Sequence, residues 1–535
     1  MSLSAEEISD NYDVNYIVAE ILKKRGIDNE KELELFFNSS LDDLGNYNDI
    51  PNIDKAIEKI NTHATLGNIL LFSDYDVDGL TSATIMFKAI KKLMPEASIN
   101  ILPSDRNRDG YSLSSKAIDI IDNKYPETTL VITLDCGITS TEEIKELEKR
   151  GYEYLIIDHH NPESIEEYNN NFVDLKAKQG NYPVKDLCNA GLTWRIGQKL
   201  TNDNFKEVLD LVSIATVADV VPLKAENRVI VKEGLNYIRQ ARINEGISNL
   251  ASQMNKSLKN MSSSDIGYAI GPAINACGRL NGVDSVLDLL LYRNRNTDMS
   301  LPRLAHKIKK INQNRKKITN NIFDNLINKV NPDRNVIVVG SNKIREGLVG
   351  LIAGKIKSRY RKPTIVIDLN SGKGSARSVE PFNMYENLKI CEEEGLLNNA
   401  GGHNMAAGIN IDKDMIEEFD ERINELASDV EYKGKRFDIE LPIQQIDKEL
   451  VKDINKLKPF GKENRKPLFK SRIKISDKYI IKGRHVSFKA DGVDSIIFNA
   501  KHKKDDIKDG RTAEIIYEPQ IRKNEIQTIV RDINF

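Results

Sequence analysis

The segment Asn68-Ile-Leu-Leu-Phe-Ser-Asp-Tyr-Asp-Val-Asp-Gly79 joins a short apolar run to three closely spaced aspartates. The apolar run has the length of a buried strand, and the amphipathic stretch after Gly79 predicts a helix from about Ser82 to Leu93. In an extended backbone alternate side chains project to one side, so we expect Asp74, Asp76 and Asp78 to converge. Three carboxylates at one strand end repel one another unless cations neutralise them. The segment therefore predicts a cation site at a strand end.

A calcium loop is the alternative interpretation of these aspartates. An EF-hand requires a glutamate at the twelfth position of its loop. Counted from Asp74, that position is occupied by Ile85. The EF-hand interpretation is therefore disfavoured.

Three later segments place further acids, or imidazoles, directly after apolar runs. They are Leu130-Val-Ile-Thr-Leu-Asp135, Leu155-Ile-Ile-Asp-His-His160 and Ile214-Ala-Thr-Val-Ala-Asp219. A single aspartate after a strand commonly caps a helix, which explains each acid alone but not the whole set. In parallel α/β sheets ligands bind outside the carboxyl ends of the strands, so we expect these side chains to face one crevice.

The chemistry of this set favours a particular class of metal ion. Oxygen ligands with one or two imidazoles suit Mn²⁺ or Mg²⁺, the imidazole favouring Mn²⁺, and the absence of closely spaced thiolates argues against structural zinc. The acids suffice for two ions that share a carboxylate. Such a pair lowers the pKa of a bound water and holds a phosphoryl oxygen, which indicates hydrolysis of a phosphate ester or diester.

Composition excludes several protein classes. The 535 residues are 40% hydrophobic and 30% charged, which is typical of globular chains and not of collagenous, mucin-like or disordered ones. No apolar run reaches the roughly 18–20 residues of a membrane span. The N-terminus lacks a secretory pattern, and the four cysteines are far apart without a CxxC pair. We therefore expect a cytoplasmic protein.

Charge is distributed unevenly along the chain. Residues 431–535 contain 25 Lys and Arg against 17 Asp and Glu, whereas residues 1–430 contain 53 against 63. An acidic body with a basic C-terminal part is expected of a protein that holds a polyanion there. A solvated basic face is the alternative, and charge alone does not separate the two.

The order of predicted elements gives a fold class and domain boundaries. Strands alternating with helices predict a parallel α/β sheet, which a long helix joins to a smaller α/β unit, and short alternating strands follow as an OB-like β-barrel. The expected domains are an N-terminal helical segment (1–67), the metal-site domain (68–300), a connecting helix (301–332), a second α/β domain (333–430) and the barrel (431–535).

These motifs together resemble the DHH phosphoesterase superfamily, which is named for the triplet present here as Asp158-His159-His160. The residue pattern of these motifs is similar to that of the RecJ-type single-strand-specific exonucleases. Gly374-Ser-Ala-Arg-Ser378 and Gly401-Gly-His-Asn-Met-Ala-Ala-Gly408 resemble the DHH-associated domain of that family. Lys458-Pro-Phe-Gly461 resembles the entry to its oligonucleotide-binding barrel.

The resemblance implies roles for individual residues. Asp135 would bridge two metal ions, Asp158 would orient a ligand, and His160 would contact the reacting phosphate. The implied metal ligands are Asp74, Asp76, Asp78, Asp135, His159 and Asp219. The implied DNA contacts are Arg108, Tyr111, Arg279, Ser375, Arg377, Ser378 and His403.

The implied reaction is 5′→3′ hydrolysis of single-stranded DNA to 5′-mononucleotides, in DNA repair and recombination. Single-stranded DNA is the implied partner, with a single-strand-binding protein and a helicase as candidate protein partners. The basic barrel would retain the strand through cations and through aromatic platforms, although most of its aromatic residues fit a barrel core equally. Two alternatives stay open: a DHH phosphodiesterase of short oligonucleotides or small nucleotides, and a non-catalytic DNA-binding scaffold of the same fold.

Overall fold

A computed structural model describes residues 2–105, 108, 110, 112–162, 168–177, 181–432, 434, 436–500 and 503–535. The described part of residues 2–67 forms helices separated by short turns. They are α1 (Ala5–Tyr12), α2 (Tyr16–Lys24), α3 (Glu30–Phe37) and α4 (Ile53–Leu66).

The first sheet is parallel throughout and, within the described residues, has the strand order β2-β1-β3-β4-β5. Its strands are β1 (Asn68–Ser73), β2 (Ser98–Pro103), β3 (Leu130–Leu134), β4 (Glu153–Ile157) and β5 (Phe172–Val173). The helices between them are α5 (Val77–Leu93), α6 (Ser115–Lys124) and α7 (Thr141–Lys149). Nearly all residues of β1, β3 and β4 are buried because helices cover both faces, as parallel sheets require.

A helical layer follows the first sheet and completes what we call the first lobe (α4 to α14 with β1 to β5). Its helices are α8 (Asn189–Thr201), α9 (Leu209–Ala218), α10 (Ala225–Arg239), α11 (Glu245–Gln253), the one-turn α12 (Ser263–Asp265), α13 (Gly271–Arg279) and α14 (Val283–Leu290). A π-helical turn at Ile266–Ile270 joins α12 to α13.

The connecting helix α15 spans Leu301–Leu326. The helix begins at Leu301, within the segment 301–332 that was expected to connect the lobes, and Pro302 lies in its first turn. A proline there removes no helical hydrogen bond, and its fixed φ suits the start of a helix.

The second lobe is a mixed sheet of strand order β6-β7-β8-β10-β9 within the described residues, with β6 and β7 parallel and the other pairs antiparallel. Its strands are β6 (Ile337–Ser341), β7 (Thr364–Asp368), β8 (Lys373–Arg377), β9 (Asn399–His403) and β10 (Ala406–Asn410). Its helices are α16 (Val349–Tyr360), α17 (Met384–Glu393) and α18 (Ile416–Glu425).

The C-terminal part is a closed barrel, preceded by β11 (Ile439–Glu440) and α19 (Lys448–Lys456). Pairing of β12 with β15 closes the ring β12-β13-β14-β16-β15. The ring strands are β12 (Phe469–Ile481), β13 (His485–Ala490), β14 (Val493–Ile497), β15 (Thr512–Arg522) and β16 (Glu525–Asn534). The sequence pattern missed β16 because its hairpin turn uses Lys523 and Asn524, both at positive φ, in place of a glycine pair.

The three-part α/β, α/β and barrel fold class predicted from the sequence is confirmed. The N-terminal helices, however, are divided between two cores. Side chains of α1 to α3, such as Ile8, Val18 and Leu33, pack in one cluster with barrel residues, whereas Ile53 and Ile60 of α4 pack in the core of the first lobe.

Arg228 of α10 ties these cores together. Its buried guanidinium lies 3.6 Å from the ring centroid of Phe36 and donates hydrogen bonds to the carbonyl oxygens of Phe36, Leu457, Lys458 and Pro459. The first lobe, the N-terminal helices and the barrel are therefore joined through one side chain.

Candidate metal centre

The carboxyl ends of β1, β3 and β4 lie side by side, and each is followed by chemically active residues. Asp74 follows β1, Asp135 follows β3, and Asp158 and His159 follow β4. The parallel register brings these ends to one edge of the sheet. Asp219 comes to the same edge from the C-terminal end of α9.

The route by which the first three aspartates converge differs from the prediction. Residues 74–78 do not form one extended strand: Asp76 is the N-cap of α5, which begins at Val77, and accepts hydrogen bonds from the backbone N–H groups of Asp78 and Gly79. Asp78 lies in the first helical turn, and its two carboxylate oxygens accept from the backbone N–H groups of Asn189 and Ala190, both at 2.7 Å. A helix start, which begins before the predicted Ser82, therefore positions these acids.

The predicted ligands form overlapping groups that could each hold a cation. Within each group, one potential ligand atom per residue lies within 4.8 Å of the others. The groups are Asp74 with Asp76 and Asp135, Asp78 with His159 and Asp219, and Asp135 with His159 and His160. Asp135 and His159 each belong to two groups, so the whole set is contiguous.

Asp135 is the central residue of this cluster. Its side chain is 5% exposed, and its backbone has φ +63°, a left-handed conformation that is uncommon outside glycine. Its Oδ1 atom is buried without a hydrogen-bond donor among the described residues, and the His159 Nε2 atom lies 3.2 Å from it. A buried carboxylate oxygen without a donor is costly, and a bound cation would satisfy it.

The crowding of the acids raises their pKa values. Burial, followed by the charges of Asp78, Asp76 and Asp74, raises the pKa of Asp135 well above its usual range. Burial and neighbouring carboxylates likewise raise the pKa values of Asp78 and Asp219. The cluster is therefore electrostatically unfavourable as a set of free anions, and divalent cations would reverse this balance.

The two histidines have different environments. His159 is buried, and this burial lowers the pKa of its imidazole, which favours the neutral form that a metal ligand needs. His160 is about half exposed, and its Nδ1 atom lies 2.7 Å from Asp158 Oδ1. Burial alone would lower the pKa of His160, but the hydrogen bond and the charge of Asp158 raise it to about 9.

Asp158 organises the backbone around the site. Its carboxylate accepts hydrogen bonds from the N–H groups of Ile138, His159 and His160. It belongs to none of the metal-type groups among the described residues. The geometry supports its predicted role in orienting the imidazoles, which stays a prediction.

The donor set fits Mn²⁺ or Mg²⁺. Five carboxylates and His159 converge on one crevice, and oxygen-rich sites with few imidazoles suit these ions. The buried Oδ1 of Asp135 points to the same conclusion.

Ser375, Arg377 and His403 lie on one face of the second lobe. Arg377 pairs with Ala406, which in turn pairs with His403, so the two side chains share a face with one strand between them. Ser375 pairs with Gly408 and, through it, with Gly401. No atom of the described residues lies within 4 Å of a Cβ built at Gly401. The face of the sheet at this glycine is therefore open to the close approach of another backbone.

Ser378 does not share this face. It is completely buried, and its hydroxyl donates a hydrogen bond of 2.6 Å to the carbonyl oxygen of Phe382. The predicted DNA contact of Ser378 is therefore corrected: alternation along the strand turns Ser375 and Arg377 outward and Ala376 and Ser378 into the core.

The other predicted DNA contacts are spread over the crevice rim. Arg279 ends α13, and its Nη1 atom donates to the carbonyl oxygen of Gly347, across the boundary between the lobes. Arg108 donates to the carbonyl oxygen of Pro103 at the end of β2. Tyr111 lies outside the described residues.

The sequence patterns missed the residues that hold the acids in place. Ser104 donates to Asp74, and Asn275 Oδ1 accepts from the backbone N–H of Val77 at the start of α5. Asn275 lies in α13, and nothing in its local sequence indicates that it fixes the start of another helix.

The barrel offers fewer free groups than its composition suggests. Phe469 and Phe488 are buried in its core, whereas Tyr479 is 58% exposed. Lys470 pairs with Glu514 and Lys456 with Asp453, so part of the positive charge is neutralised.

No helix in the described part of the chain is both long and apolar enough to cross a bilayer.

Models of three families match successive parts of the chain. The DHH family N-terminal domain matches residues 68–216, the DHHA1 domain matches 333–429, and the RecJ OB domain matches 437–532. Together they follow the order of the first lobe, the second lobe and the barrel.

Several curated relatives carry the name RecJ. The single-stranded-DNA-specific exonuclease RecJ of Bacillus subtilis is 29% identical over 475 residues, which cover 86% of this chain and 59% of the relative. The chain thus spans about three fifths of that protein. The RecJ of Escherichia coli is 27% identical, over 93% of this chain and 92% of its own length.

A solved structure supports the fold over the whole chain. The crystal structure of RecJ in complex with Mn²⁺ from Thermus thermophilus superposes with a TM-score of 0.82 at 23% identity, covering 100% of this chain and 79% of that one. The three family matches in their order, the curated relatives and this architecture lead to one assignment. The chain belongs to the RecJ family of the DHH phosphoesterase superfamily.

Proposed function

We propose that this protein is a metal-dependent, single-strand-specific DNA exonuclease that works 5′→3′ and releases 5′-mononucleotides, in DNA repair and recombination. The observation that supports this most directly is the convergence of five carboxylates and His159 at one edge of the first sheet. The names of the relatives, single-stranded-DNA-specific exonuclease, supply the substrate class.

Two divalent ions, Mn²⁺ or Mg²⁺, are proposed for the crevice. The residues that would hold them are Asp74, Asp76, Asp78, Asp135, His159 and Asp219, with Asp135 shared because it belongs to two groups. When bound, such ions neutralise a phosphate and lower the pKa of a water molecule, so that hydroxide is available near neutral pH.

His160 and Asp158 are proposed to act on the reacting phosphate. The Nδ1–H group of His160 donates to Asp158, which fixes the ring and leaves Nε2 directed away from that carboxylate. Because Asp158 raises the pKa of His160 to about 9, the imidazole is protonated at neutral pH. Its Nε2–H can then donate to a phosphate oxygen and stabilise the added negative charge.

The open face of the second lobe is proposed to take the terminal phosphate. Ser375 and Arg377 supply a hydroxyl and a forked guanidinium. His403 lies on the same face, with the strand β10 between it and Arg377. The barrel would retain longer strands by electrostatics and stacking. A barrel of this kind favours an exonuclease over a phosphodiesterase of short oligonucleotides.

We also propose that the protein works in the cytoplasm. The four cysteines are buried and free, which suits a reducing cytoplasm. Single-stranded DNA is the proposed partner, and a single-strand-binding protein and a helicase are candidate protein partners in repair.

The test is an exonuclease assay on a DNA strand of about 40 nucleotides, labelled at either end, single-stranded or duplex, with Mn²⁺ or Mg²⁺. A strand this long exceeds the site size of about 4–16 nucleotides for one OB-type barrel. We expect the 5′ label to be released first, as a mononucleotide, and the duplex to resist. Release of the 3′ label first, or equal cleavage of duplex, would refute the proposal.

A further inference from the structure

Two guanidinium groups from different lobes lie at the start of α16, and a third belongs to the connecting helix that packs beside it. Arg279 ends α13 of the first lobe and donates a 2.7 Å hydrogen bond to the carbonyl oxygen of Gly347. Arg377 ends β8 of the second lobe, and a Cβ built at Gly350 would lie 2.6 Å from its Nη2 atom. Arg315 belongs to the connecting helix α15, which packs against both α13 and α16, and the charge of Arg279 acts on it.

The charges of these groups reinforce one another. Burial, and then the charge of Arg279, lowers the pKa values of both Arg315 and Arg377. The N-terminal end of the α16 dipole adds positive potential at the same place. The junction of the lobes is therefore strongly electropositive.

Neighbouring acids do not balance this potential at Arg315 and Arg377. In the part of the chain that the structure describes, Arg377 donates to Ser375 Oγ and to the carbonyl oxygen of Ala376, and Arg315 Nη2 donates to Asn312 Oδ1. Within that same part, Arg315 Nε is buried and has no acceptor. A buried donor without an acceptor costs free energy that an incoming anion would recover.

We infer that Arg315 binds a phosphate group of the DNA strand, in one site with Arg279 and Arg377. This inference rests on the proposed function and adds a residue of the connecting helix to the substrate contacts. A guanidinium that presents several donors in a plane suits a phosphate oxygen pair. Because the three residues come from both lobes and the helix between them, one phosphate would hold all three elements together.

The direct test measures how binding of an oligonucleotide depends on salt. In an Asp135→Asn background, which prevents degradation, Arg315→Gln should flatten the plot of log affinity against log salt by about 0.7 for each lost contact with single-stranded DNA. Lys317→Gln, an exposed residue of the same helix, is the matched control and should leave the slope unchanged. An unchanged slope in Arg315→Gln would overturn the inference.

Two further measurements separate binding from a structural role. Arg315→Lys keeps the charge but loses the fork, so it should restore the salt slope while leaving KM above that of the parent protein. In Arg315→Gln, KM should rise with little change in kcat, and the melting temperature without ligand should be unchanged or higher, since an unpaired buried donor is removed. A lowered melting temperature with the parental salt slope would indicate a structural role and contradict the inference.

Inorganic phosphate provides a probe that does not depend on nuclease activity. It should raise the melting temperature of the parent protein and of Lys317→Gln, but less that of Arg315→Gln. Equal shifts in all three would overturn the phosphate site. Failure of the parent protein to cleave single strands, with these phosphate shifts intact, would instead count against the proposed function.

Discussion

The metal crevice and the barrel both contain clustered charged residues, but these residues have different neighbours in the folded protein. In the crevice, acids spread over 145 residues of the chain, from Asp74 to Asp219, come together in overlapping groups whose members lie within ligand distance. In the barrel, cations such as Lys470 and Lys456 are drawn into ion pairs. Like charges that the fold forces together indicate a ligand, whereas charges that find partners indicate a surface.

Asp135→Asn should have the largest effect on activity. Asparagine keeps the shape and tolerates the left-handed backbone, but removes the charge shared between two groups of ligands. We expect exonuclease turnover to fall by more than about 100-fold, since even changes outside the ligand set cost roughly 10–100-fold in metal sites. Turnover is measured by release of acid-soluble nucleotide.

The stability of the same variant tests whether the crevice acids destabilise one another. Because Asp135 is buried beside other acids, loss of its charge should leave the metal-free melting temperature unchanged or higher. A lower melting temperature would show that the crevice acids are not destabilising one another.

Removal of the metal ions should affect the crevice rather than the barrel. Chelation with EDTA should abolish the reaction, and Mn²⁺ should restore it. Mn²⁺ should also raise the melting temperature of the parent protein by mass action, and less that of Asp135→Asn. Activity that survives chelation and dialysis would refute the metal requirement.

Arg228→Met should test how the barrel is attached. It removes a buried guanidinium that donates to four carbonyl oxygens. Those of Leu457 and Pro459 also accept from Asn464 Nδ2, whereas those of Phe36 and Lys458 would lose their side-chain donor. We expect a loss of roughly 1–3 kcal/mol in the free energy of unfolding for each carbonyl oxygen left without a donor, measured by denaturant titration. Arg239→Met, at the exposed end of the same helix, is the control and should cost less.

Tyr479→Ala should give the smallest effect. This exposed aromatic residue can stack on a base, whereas Phe488 belongs to the barrel core. We expect affinity for long single strands to fall by about 1–3 kcal/mol, with cleavage of dinucleotides unaffected. Binding by fluorescence anisotropy, with Ile480→Ala as a neighbouring exposed control, would check this, and equal losses in both variants would contradict stacking.

Substitutions test the barrel better than its deletion does. The helices α1 to α3 pack in one hydrophobic cluster with the barrel, so a chain truncated near residue 438 would expose side chains such as Ile8 and Leu33. Loss of binding in such a truncation would not distinguish a missing DNA contact from a disrupted core.

The acid positions could be predicted from sequence because strand ends are local signals. An apolar run followed by aspartate marks the carboxyl end of a strand, and parallel strands bring these ends to one edge. The predicted geometry of Asp76 and Asp78 was nevertheless wrong, since a helix start rather than an extended strand positions them. Local pattern indicated which residues meet, but not the backbone that brings them together.

Sequence alone determined the order of the three units, the acids and imidazoles of the crevice, and the glycine-rich segments of the second lobe, because periodicity and motif spacing encode these features locally. Tertiary structure alone decided that Ser378 faces the core, that α1 to α3 pack on the barrel, and that Arg279 reaches Gly347 across the boundary between the lobes. These features depend on contacts between residues far apart in the chain, and such contacts follow from how whole elements pack rather than from any short stretch of sequence.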